Sequence, residues 1–285
     1  MCNLFYSTLQ PDEICKSCST RNSSGNGFDT PSWRDHPGDG HQYNPGFNMA
    51  PSTFMPVMLL DQSKGSKRNQ EGETKQPEKI IQPMMWGLVP HFFKGESVKS
   101  NVYKTNNCRV ESVLEKKSYI PSLKRGQRCV VLCDGFYEWQ SVKGEKSKQP
   151  YFIYALQSDE VSIWDRSSWD NDKVWSDEKG WLGPKLLKMA GLYSKWTSEE
   201  GEEIMSFTVL TMESSDSFSW LHHRVPAILN TEEEVQKWLD PNIGYEKALA
   251  NLSNASKFSS HPVSTEVNNS RNNNSSCVQP VSLEK

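Results

Sequence analysis

The stretch from Arg128 to Trp139, RCVVLCDGFYEW, is a β-rich run with a single interruption. β-Branched, aromatic and other apolar residues fill both halves, as is typical of strands. Asp134-Gly135, which separates the halves, is a dipeptide typical of turns. The run therefore predicts two strands separated by a turn at Asp134-Gly135.

Apolar segments of strand length lie on both sides of this run. They are FMPVMLL (54–60), IIQPMMWGLVP (80–90), PYFIYAL (150–156), MAGLYSKW (189–196) and SFTVLTM (206–212). Pro83 and Pro90 argue against a helix in the second of these segments, because proline removes a backbone donor. The segments predict a series of strands through most of the chain.

Helical patterns lie toward the C-terminal end. TEEEVQKWLD (231–240) has Thr231 at the N-cap position, acidic residues in the first turn, and apolar Val235 and Leu239 four residues apart. PNIGYEKALANLS (241–253) predicts a second short helix. Because strands dominate and do not alternate with helices, the sequence predicts an α+β fold with a mixed or antiparallel sheet.

Two polar segments interrupt the strand series. Residues 62–79 contain no core-forming residue, and residues 157–186 are polar and Trp-rich without a clear period. We therefore predict one domain, residues 1–267, that carries these segments as loop insertions. The Asn- and Ser-rich residues 268–285 are predicted to be a C-terminal tail that packs on the domain or trails from it.

Composition limits the classes of function. The 285 residues are 35% hydrophobic and 24% charged, which is typical of a globular protein with polar insertions. No run of 18 apolar residues and no signal peptide is visible, so neither a membrane partner nor secretion is predicted. A net charge of −3 argues against a protein that coats duplex DNA by charge alone, and restricts any nucleic-acid site to a local groove.

The seven cysteines favour free thiols over a disulfide framework, since the chain lacks a secretion signal. Cys15 and Cys18 form a C-x-x-C pair, but a second pair at zinc-site spacing is missing from the sequence. We therefore predict no metal site and no cofactor.

Cys2 directly follows the initiator methionine. If Met1 is removed, residue 2 carries an amine with a pKa of about 8 beside a thiol with a pKa of about 8.5. Such an aminothiol condenses with an aldehyde to an imine, and its thiolate then closes a five-membered thiazolidine ring, because the thiol is already held beside the imine carbon. The alternative is an incidental or buried cysteine.

Three further residues are candidates for chemistry. Glu138 lies in an aromatic, apolar phrase, and burial there would raise its pKa toward neutral pH; the alternative is a strand-edge acid that faces water. His222 or its neighbour His223 would serve as a general acid, or as a structural histidine. Arg109 would hold a phosphate or carboxylate, or lie on the surface as an ordinary arginine.

Taken together, the phrases around these residues resemble the SOS response-associated peptidase (SRAP) family. The resemblance extends from Cys2 to about Val281 and rests on nine features in a fixed order. They are Cys2, FNMAP (47–51), MWGLVPHFFK (85–94), NNCRVES (106–112), RCVVLCDGFYEW (128–139), PYFIY (150–154), MAGLYSKW (189–196), LHHRVPAIL (221–229) and PVSTEVNNSRN (262–272). The resemblance implies a single-domain fold with a strongly twisted, barrel-like mixed sheet and a few peripheral helices.

The resemblance also implies a function and a set of site residues. The family captures abasic sites in single-stranded DNA as a thiazolidine crosslink to the N-terminal cysteine, after autoproteolytic removal of Met1. The catalytic residues that it implies are Cys2, Glu138, His222 and Asn48. The DNA-binding residues that it implies are Asn107, Arg109, Arg224, Trp86, Pro51 and Thr211. In this scheme His222 protonates the sugar ring oxygen, Glu138 moves the proton of the Cys2 amine, and the same two residues allow slow reversal.

The chain departs from the family pattern at a few positions. Leu4 and Met85 stand where the family usually has arginine, and Val225 replaces a methionine. Two lost phosphate contacts would weaken DNA binding and flatten its salt dependence. We expect the crosslinking chemistry to persist, because the implied catalytic residues are present.

The expected partner is single-stranded DNA with abasic sites, bound by a monomer in the nucleus, at chromatin or replication forks. Replication-fork proteins are compatible partners, although no clamp-binding motif is visible. Two other functions stay open on the sequence: a thiol peptidase that uses Cys2, His222 and Asn48, and a non-covalent binder of modified cytosine in DNA.

Overall fold

The computed structural model of the protein describes residues 3–38, 40–61, 78–95, 97–98, 104–141, 147–169, 174–255 and 257–283. Its strands are β1 (Leu4–Ser7), β2 (Thr20–Arg21), β3 (Phe28–Asp29), β4 (Ser32–Trp33), β5 (Gly46–Met49), β6 (Phe54–Leu60), β7 (Lys79–Trp86), β8 (Asn107–Arg109), β9 (Arg128–Cys133), β10 (Gly135–Gln140), β11 (Gln149–Ala155), β12 (Trp175–Ser176), β13 (Gly180–Trp181), β14 (Leu187–Thr197), β15 (Glu203–Glu213), β16 (Arg224–Pro226) and β17 (Phe258–Pro262). Its α-helices are α1 (Pro11–Ser17), α2 (Ile120–Lys124), α3 (Asp216–Ser219), α4 (Glu232–Leu239) and α5 (Tyr245–Ala250).

Five strands close into a barrel in the order β15, β14, β9, β6, β7 and back to β15. The closing pair is parallel and aligns Ser206 with Met85 and Phe207 with Trp86, whereas the other four pairs are antiparallel. Every residue of β9 is buried, since this strand lies in the middle of the barrel wall. Strands β16 and β8 extend the sheet from β15, and β4 extends it from β7. The predicted α+β class with a mixed, barrel-like sheet is thus confirmed.

A second sheet has the order β17, β11, β10, β1, β5 and is antiparallel throughout. Alternate residues of β10 face different clusters. Phe136 belongs to the large core cluster that also contains the barrel residues, whereas Tyr137 packs with Leu4 and Tyr6 in a second cluster. Strand β10 therefore places its even-numbered residues, among them Glu138, on the side of the sheet that faces the barrel.

The Asp134-Gly135 turn joins the two sheets and does not make a hairpin. Strands β9 and β10 pair with other strands, because the chain leaves the barrel at Asp134 and enters the second sheet. The Asp134 carboxylate accepts hydrogen bonds from the Thr8 backbone N–H at 2.6 Å and the Thr8 hydroxyl at 2.7 Å. Only glycine fits at 135, since a Cβ would lie 2.4 Å from the Phe152 ring and 2.6 Å from a backbone oxygen of β11.

The two predicted C-terminal helices are present as α4 and α5. Thr231 caps α4 by accepting from the Glu234 N–H at 3.2 Å, and the Glu234 carboxylate accepts from the Thr231 N–H at 3.2 Å. The helix packs on β9, where the Trp238 indole donates to the Cys129 carbonyl at 2.8 Å. Within the described residues, no helix is long and apolar enough to span a membrane.

The polar segments differ in how much of them the structure describes. Most of the predicted insertion at 62–79 lies outside the described residues, and its last residue, Lys79, already begins β7. The 157–186 segment contributes the β12–β13 hairpin and buries Ile163 and Trp169. In the tail, Cys277 and Val278 are buried, and Val281 donates to the Pro262 carbonyl of β17 at 3.0 Å. The domain limits at 267 and 268 remain a prediction.

Candidate active site

Glu138 occupies a buried position near the end of β10. Its side chain is 4% exposed, and the carboxylate accepts a hydrogen bond from the Trp139 N–H at 3.3 Å. Burial raises the pKa of Glu138 above its ordinary value, because the charged form is poorly solvated there. Glu138 is therefore not the water-facing carboxylate that the sequence left open as an alternative.

His222 approaches Glu138 from the loop between α3 and β16. Its Nδ1 lies 3.0 Å from the Arg224 backbone nitrogen and 3.2 Å from the Arg224 carbonyl oxygen. Its Nε2 lies 4.0 Å from Glu138 Oε1. Partial burial lowers the pKa of His222 to about 4, so the imidazole is neutral at pH 7. His223 stacks on His222 with the ring centroids 4.4 Å apart.

The start of the chain leads toward this pair. Strand β1 pairs with β10 so that Leu4 lies opposite Tyr137, and the antiparallel register carries residue 3 toward Glu138. The Asn3 side chain accepts a hydrogen bond from the Asn106 amide at 3.1 Å. Met1 and Cys2, the predicted nucleophile, lie outside the described residues. The structure therefore fixes the chain up to the neighbour of Cys2.

Asn48 lies on β5, the other neighbour of β1, and is buried. Its Nδ2 contacts three backbone carbonyls of the C-terminal segment, those of Val267 at 3.0 Å, Asn269 at 3.2 Å and Asn272 at 3.1 Å. Three acceptors around one nitrogen fix the orientation of the amide. The opposite atom, Asn48 Oδ1, is buried without a hydrogen-bond partner among the described residues. An acceptor held in this way is suited to an N–H or O–H donor.

The N-x-R phrase forms β8, which pairs with β15 so that Asn107 lies opposite Val209 and Arg109 opposite Thr211. Arg109 is exposed and Asn107 is half-buried. Thr211 is buried, and its hydroxyl donates to the Cys108 carbonyl at 3.4 Å. Of these three, Arg109 is the side chain that solvent, and therefore a phosphate, reaches most readily.

Arg224 has internal partners. Its guanidinium is 6% exposed and makes two hydrogen bonds of 2.8 Å with the Glu111 carboxylate and one of 2.6 Å with the Thr211 carbonyl. This arrangement holds β16 on β15 and, through the Arg224 N–H, orients His222. These internal partners favour a positioning role, and the phosphate contact expected from the sequence stays a prediction.

The expected apolar wall of Trp86 and Pro51 is only partly at the surface. Trp86 is fully buried, its ring lies 4.3 Å from that of Phe5, and its indole donates to the Asn106 carbonyl at 2.9 Å. Pro51 is exposed in the turn above it, where the Ser52 N–H donates to the Trp86 carbonyl at 2.7 Å. Trp86 thus supports the turn, and Pro51 alone of the two faces solvent.

Leu4 and Met85, which replace family arginines, are both buried. Leu4 packs in the cluster with Tyr6 and Tyr137, and Met85 packs with Val89 and other apolar residues of a third cluster. Both side chains therefore contribute to apolar packing. The expected loss of two phosphate contacts stays a prediction.

Three residues near the pair were not singled out from the sequence. Tyr151 lies directly opposite Glu138 on β11, Trp220 lies two residues before His222, and the charge of Lys148 is close enough to affect both members of the pair. Only the strand register and the α3 turn bring them together, so no local pattern marks them.

The cysteines are not grouped with other ligands. All six cysteines in the described part of the chain are buried and free, and burial raises the pKa of Cys15 to about 12. No group of three or more His, Cys, Asp or Glu side chains positioned for a metal occurs among the described residues.

Comparisons with known proteins agree on one family. The family model of the SOS response associated peptidase (SRAP) matches residues 1–270. The abasic site processing protein HMCES of Xenopus tropicalis is 39% identical over 99% of this chain and 79% of its own length. The abasic site processing protein YoqW of Bacillus subtilis is 28% identical over 84% of this chain and 87% of its own length.

Solved structures share the fold. A protein of Bacteroides thetaiotaomicron superposes with a TM-score of 0.59 at 22% identity, covering 83% of this chain and 85% of that one. A protein of Bordetella bronchiseptica superposes with a TM-score of 0.60 at 16% identity, covering 92% of this chain and 100% of that one. With the family match over nearly the whole chain, these likenesses establish that the protein belongs to the SRAP family.

Proposed function

We propose that this protein senses and shields abasic sites in single-stranded DNA by forming a thiazolidine crosslink through Cys2. The single observation that carries the proposal is the buried Glu138–His222 pair, 4.0 Å apart, toward which the first described residues of the chain lead. The names of the relatives, abasic site processing proteins, support the choice of substrate. A preference for single-stranded DNA, a nuclear location and a monomeric state are parts of the same proposal.

The chemistry begins with removal of Met1, which we propose to be autoproteolytic, because only then does Cys2 have a free amine. The amine adds to the aldehyde of the ring-opened abasic sugar, and loss of one water gives the imine. The Cys2 sulfur then adds to the imine carbon, and the imine nitrogen takes up the thiol proton. One aldehyde and one aminothiol thus become one thiazolidine and one water.

Glu138 is suited to the proton transfers of this sequence. Because burial raises its pKa, the carboxyl group holds a proton closer to neutral pH than an exposed glutamate does. It takes a proton from the amine as the C–N bond forms and returns one to the departing hydroxyl group. The same exchange in the opposite direction gives slow reversal of the crosslink.

His222 acts as a neutral donor in this proposal. With a pKa of about 4 the ring carries no spare proton at pH 7. We assign its proton to Nε2, which faces Glu138, and this Nε2–H donates a hydrogen bond to the sugar oxygen that leaves during ring opening. This assignment revises the imidazolium acid expected from the sequence. The proton itself comes from Glu138 or from water.

Asn48, Arg109 and Arg224 have supporting roles. The buried Asn48 Oδ1 accepts a hydrogen bond from the Cys2 amine, and the exposed Arg109 holds a flanking phosphate. Arg224 holds His222 through its backbone N–H. Asn107, Thr211, Trp86 and Pro51 complete the proposed DNA site, with the buried Thr211 and Trp86 acting through the elements that they support.

The test is a denaturing gel with single-stranded DNA that carries one abasic site. Wild-type protein is expected to give a shifted band, and Cys2→Ala is expected to give none. DNA with a tetrahydrofuran site, which lacks the aldehyde, is the matched control and is expected to give no band. Absence of the band with wild-type protein would contradict the proposal, and a band with Cys2→Ala would place the nucleophile elsewhere.

A second comparison separates the amine from the thiol. Protein that retains Met1 has the thiol without the adjacent amine, and we expect it to lose the crosslink. A general thiol peptidase would keep its hydrolytic activity in this form. A non-covalent binder of modified cytosine would keep its affinity in Cys2→Ser and give no denaturant-resistant band.

A further inference from the structure

Trp220 is a large aromatic side chain exposed beside the proposed active site. It follows helix α3, lies two residues before His222, and remains 45% exposed. Neither the implied site residues nor the proposed mechanism uses it. An exposed tryptophan that packs beside a catalytic pair is a candidate contact for a substrate.

We propose that Trp220 and Tyr151 form a stacking site for the base of a nucleotide that neighbours the captured sugar in single-stranded DNA. This inference rests on the proposed function. It adds that the same site also binds the base next to the abasic sugar. Stacking on an aromatic ring is tolerant of sequence, since every base has a π-face.

Two contacts place Trp220 and Tyr151 next to Glu138 and His222. In the β10–β11 register Tyr151 lies directly opposite Glu138, so the two side chains are neighbours on one face of the sheet. The Gln140 side chain, two residues further along β10, donates to the Trp220 carbonyl at 3.4 Å. Tyr151 is thus joined to the strand of Glu138, and Trp220 belongs to the segment that leads to His222.

The pair is held in place by its own contacts. The two rings meet edge to face, with the centroids 5.0 Å apart and an interplanar angle of 82°. The Trp220 indole donates to the Ser217 carbonyl at 3.1 Å. These contacts fix the ring before any ligand binds, which lowers the entropy lost on stacking.

Charge favours a nucleotide over an apolar protein partner at this place. Lys148 is exposed one residue before β11. Burial raises the pKa of Glu138, and the positive charge of Lys148 lowers it. It also acts with burial to lower the pKa of His222. An aromatic pair with an exposed lysine three residues before Tyr151 suits a base and its phosphate.

The experiment uses single-stranded DNA without a lesion and the variants Trp220→Ala and Trp220→Phe. Trp220→Ala is expected to weaken binding on the order of tenfold, because stacking on one aromatic residue has about that effect. Trp220→Phe is expected to retain most of the affinity. Leu182→Ala is the matched control, since Leu182 is comparably exposed but lies beside the separate β12–β13 hairpin. Unchanged affinity in Trp220→Ala, or equal losses in the Phe and Ala variants, would overturn the inference.

A second measurement needs no variant. The fluorescent base 2-aminopurine is placed next to the abasic site on either side, and four nucleotides away as a control. Quenching by the wild-type protein is expected at one adjacent position and is expected to be absent at the distant one. Equal fluorescence at all positions would overturn the inference. A crosslink on the gel with no effect of Trp220 would leave the proposed function intact, and the reverse pattern would leave a stacking site without the crosslinking function.

Discussion

At the scale of single residues, burial acts in opposite directions on the two members of the Glu138–His222 pair. It raises the pKa of the carboxyl group and lowers that of the imidazole to about 4, because each neutral form is favoured away from water. For this reason the proposed mechanism gives proton transfer to Glu138 and hydrogen-bond donation to His222. Burial thus favours the neutral form of both side chains.

Glu138→Gln tests this assignment. The amide keeps the shape of the side chain but does not exchange protons near neutral pH, so formation and reversal of the crosslink are both expected to slow by about 100-fold or more. Single-turnover time courses on denaturing gels measure both rates. Glu160→Gln, at an exposed glutamate, is the control. Unchanged rates in Glu138→Gln would deny the residue a role in proton transfer.

Arg109 and Arg224 are expected to respond differently to alanine substitution. Arg109 is exposed, so Arg109→Ala is expected to weaken single-stranded DNA binding at all sequences and to lower the salt slope by about 1, with stability unchanged. Arg224→Ala removes hydrogen bonds to Glu111 and Thr211 and is expected to reduce the free energy of unfolding by about 2 kcal/mol or more.

Salt titrations of binding and urea unfolding curves separate the two effects. A loss of stability in Arg109→Ala, or a salt-slope change in Arg224→Ala at full stability, would reverse the assignment.

At the scale of elements, Asp134 links the two sheets where β9 ends and β10 begins. It is buried, and Thr8, just after β1, donates two hydrogen bonds to it. Burial raises its pKa from 3.8 to about 6, against the opposing effect of the Thr8 hydrogen bonds. The corner that decides the path of the chain therefore contains a titrating group.

Asp134→Asn tests the consequence for stability. Between pH 4 and 6 the folded protein binds a proton at Asp134 that the unfolded chain has lost, so the stabilisation present at low pH is lost as the pH rises. The asparagine variant lacks this titration. Relative to wild type, its free energy of unfolding is expected to rise by about 2 kcal/mol from pH 4 to above pH 6.

Urea unfolding at several pH values provides the measurement. Parallel curves for the two proteins between pH 4 and 6 would contradict the expected pKa of Asp134.

At the scale of the whole molecule, the proposed site residues and their supports come from three regions. The second sheet provides Glu138 and Asn48, the strands added to the barrel provide Arg109 and Arg224, and the C-terminal segment surrounds the Asn48 amide. Asn273 completes this enclosure, because its side-chain oxygen accepts from the backbone N–H groups of Phe47 at 2.6 Å and Asn48 at 3.2 Å. The C-terminal segment thus holds Asn48, a proposed site residue, in place.

Asn273→Ala is expected to loosen this enclosure. The free energy of unfolding should fall by about 1 kcal/mol, as for the loss of a partly exposed hydrogen bond, and the crosslinking rate should fall because Asn48 is less well held. Ser270→Ala, at an exposed position of the same segment, is the control. A crosslinking rate equal to that of wild type would show that the tail does not position Asn48.

The sequence alone determined the strand series, the two C-terminal helices and the family, because these depend on local patterns: apolar runs, a cap with acidic residues behind it, and phrases in a fixed order. The buried state of Glu138 was one of two alternatives, and the strand register decided between them. The Asp134-Gly135 turn was recognised as a turn, but that it joins two sheets depends on how distant strands pair.

Tertiary structure alone decided which residues share the site. We propose Arg224 as a positioning residue because the carboxylate of Glu111, 113 positions earlier, accepts two hydrogen bonds from its guanidinium. Trp86 is buried in the core because Phe5 and the turn at Ser52 cover it. Tyr151 lies near Glu138 because of a strand pairing, and Trp220 lies near His222 because of the turn after α3. Such contacts join residues far apart in the chain, and a single sequence contains no local signal for them.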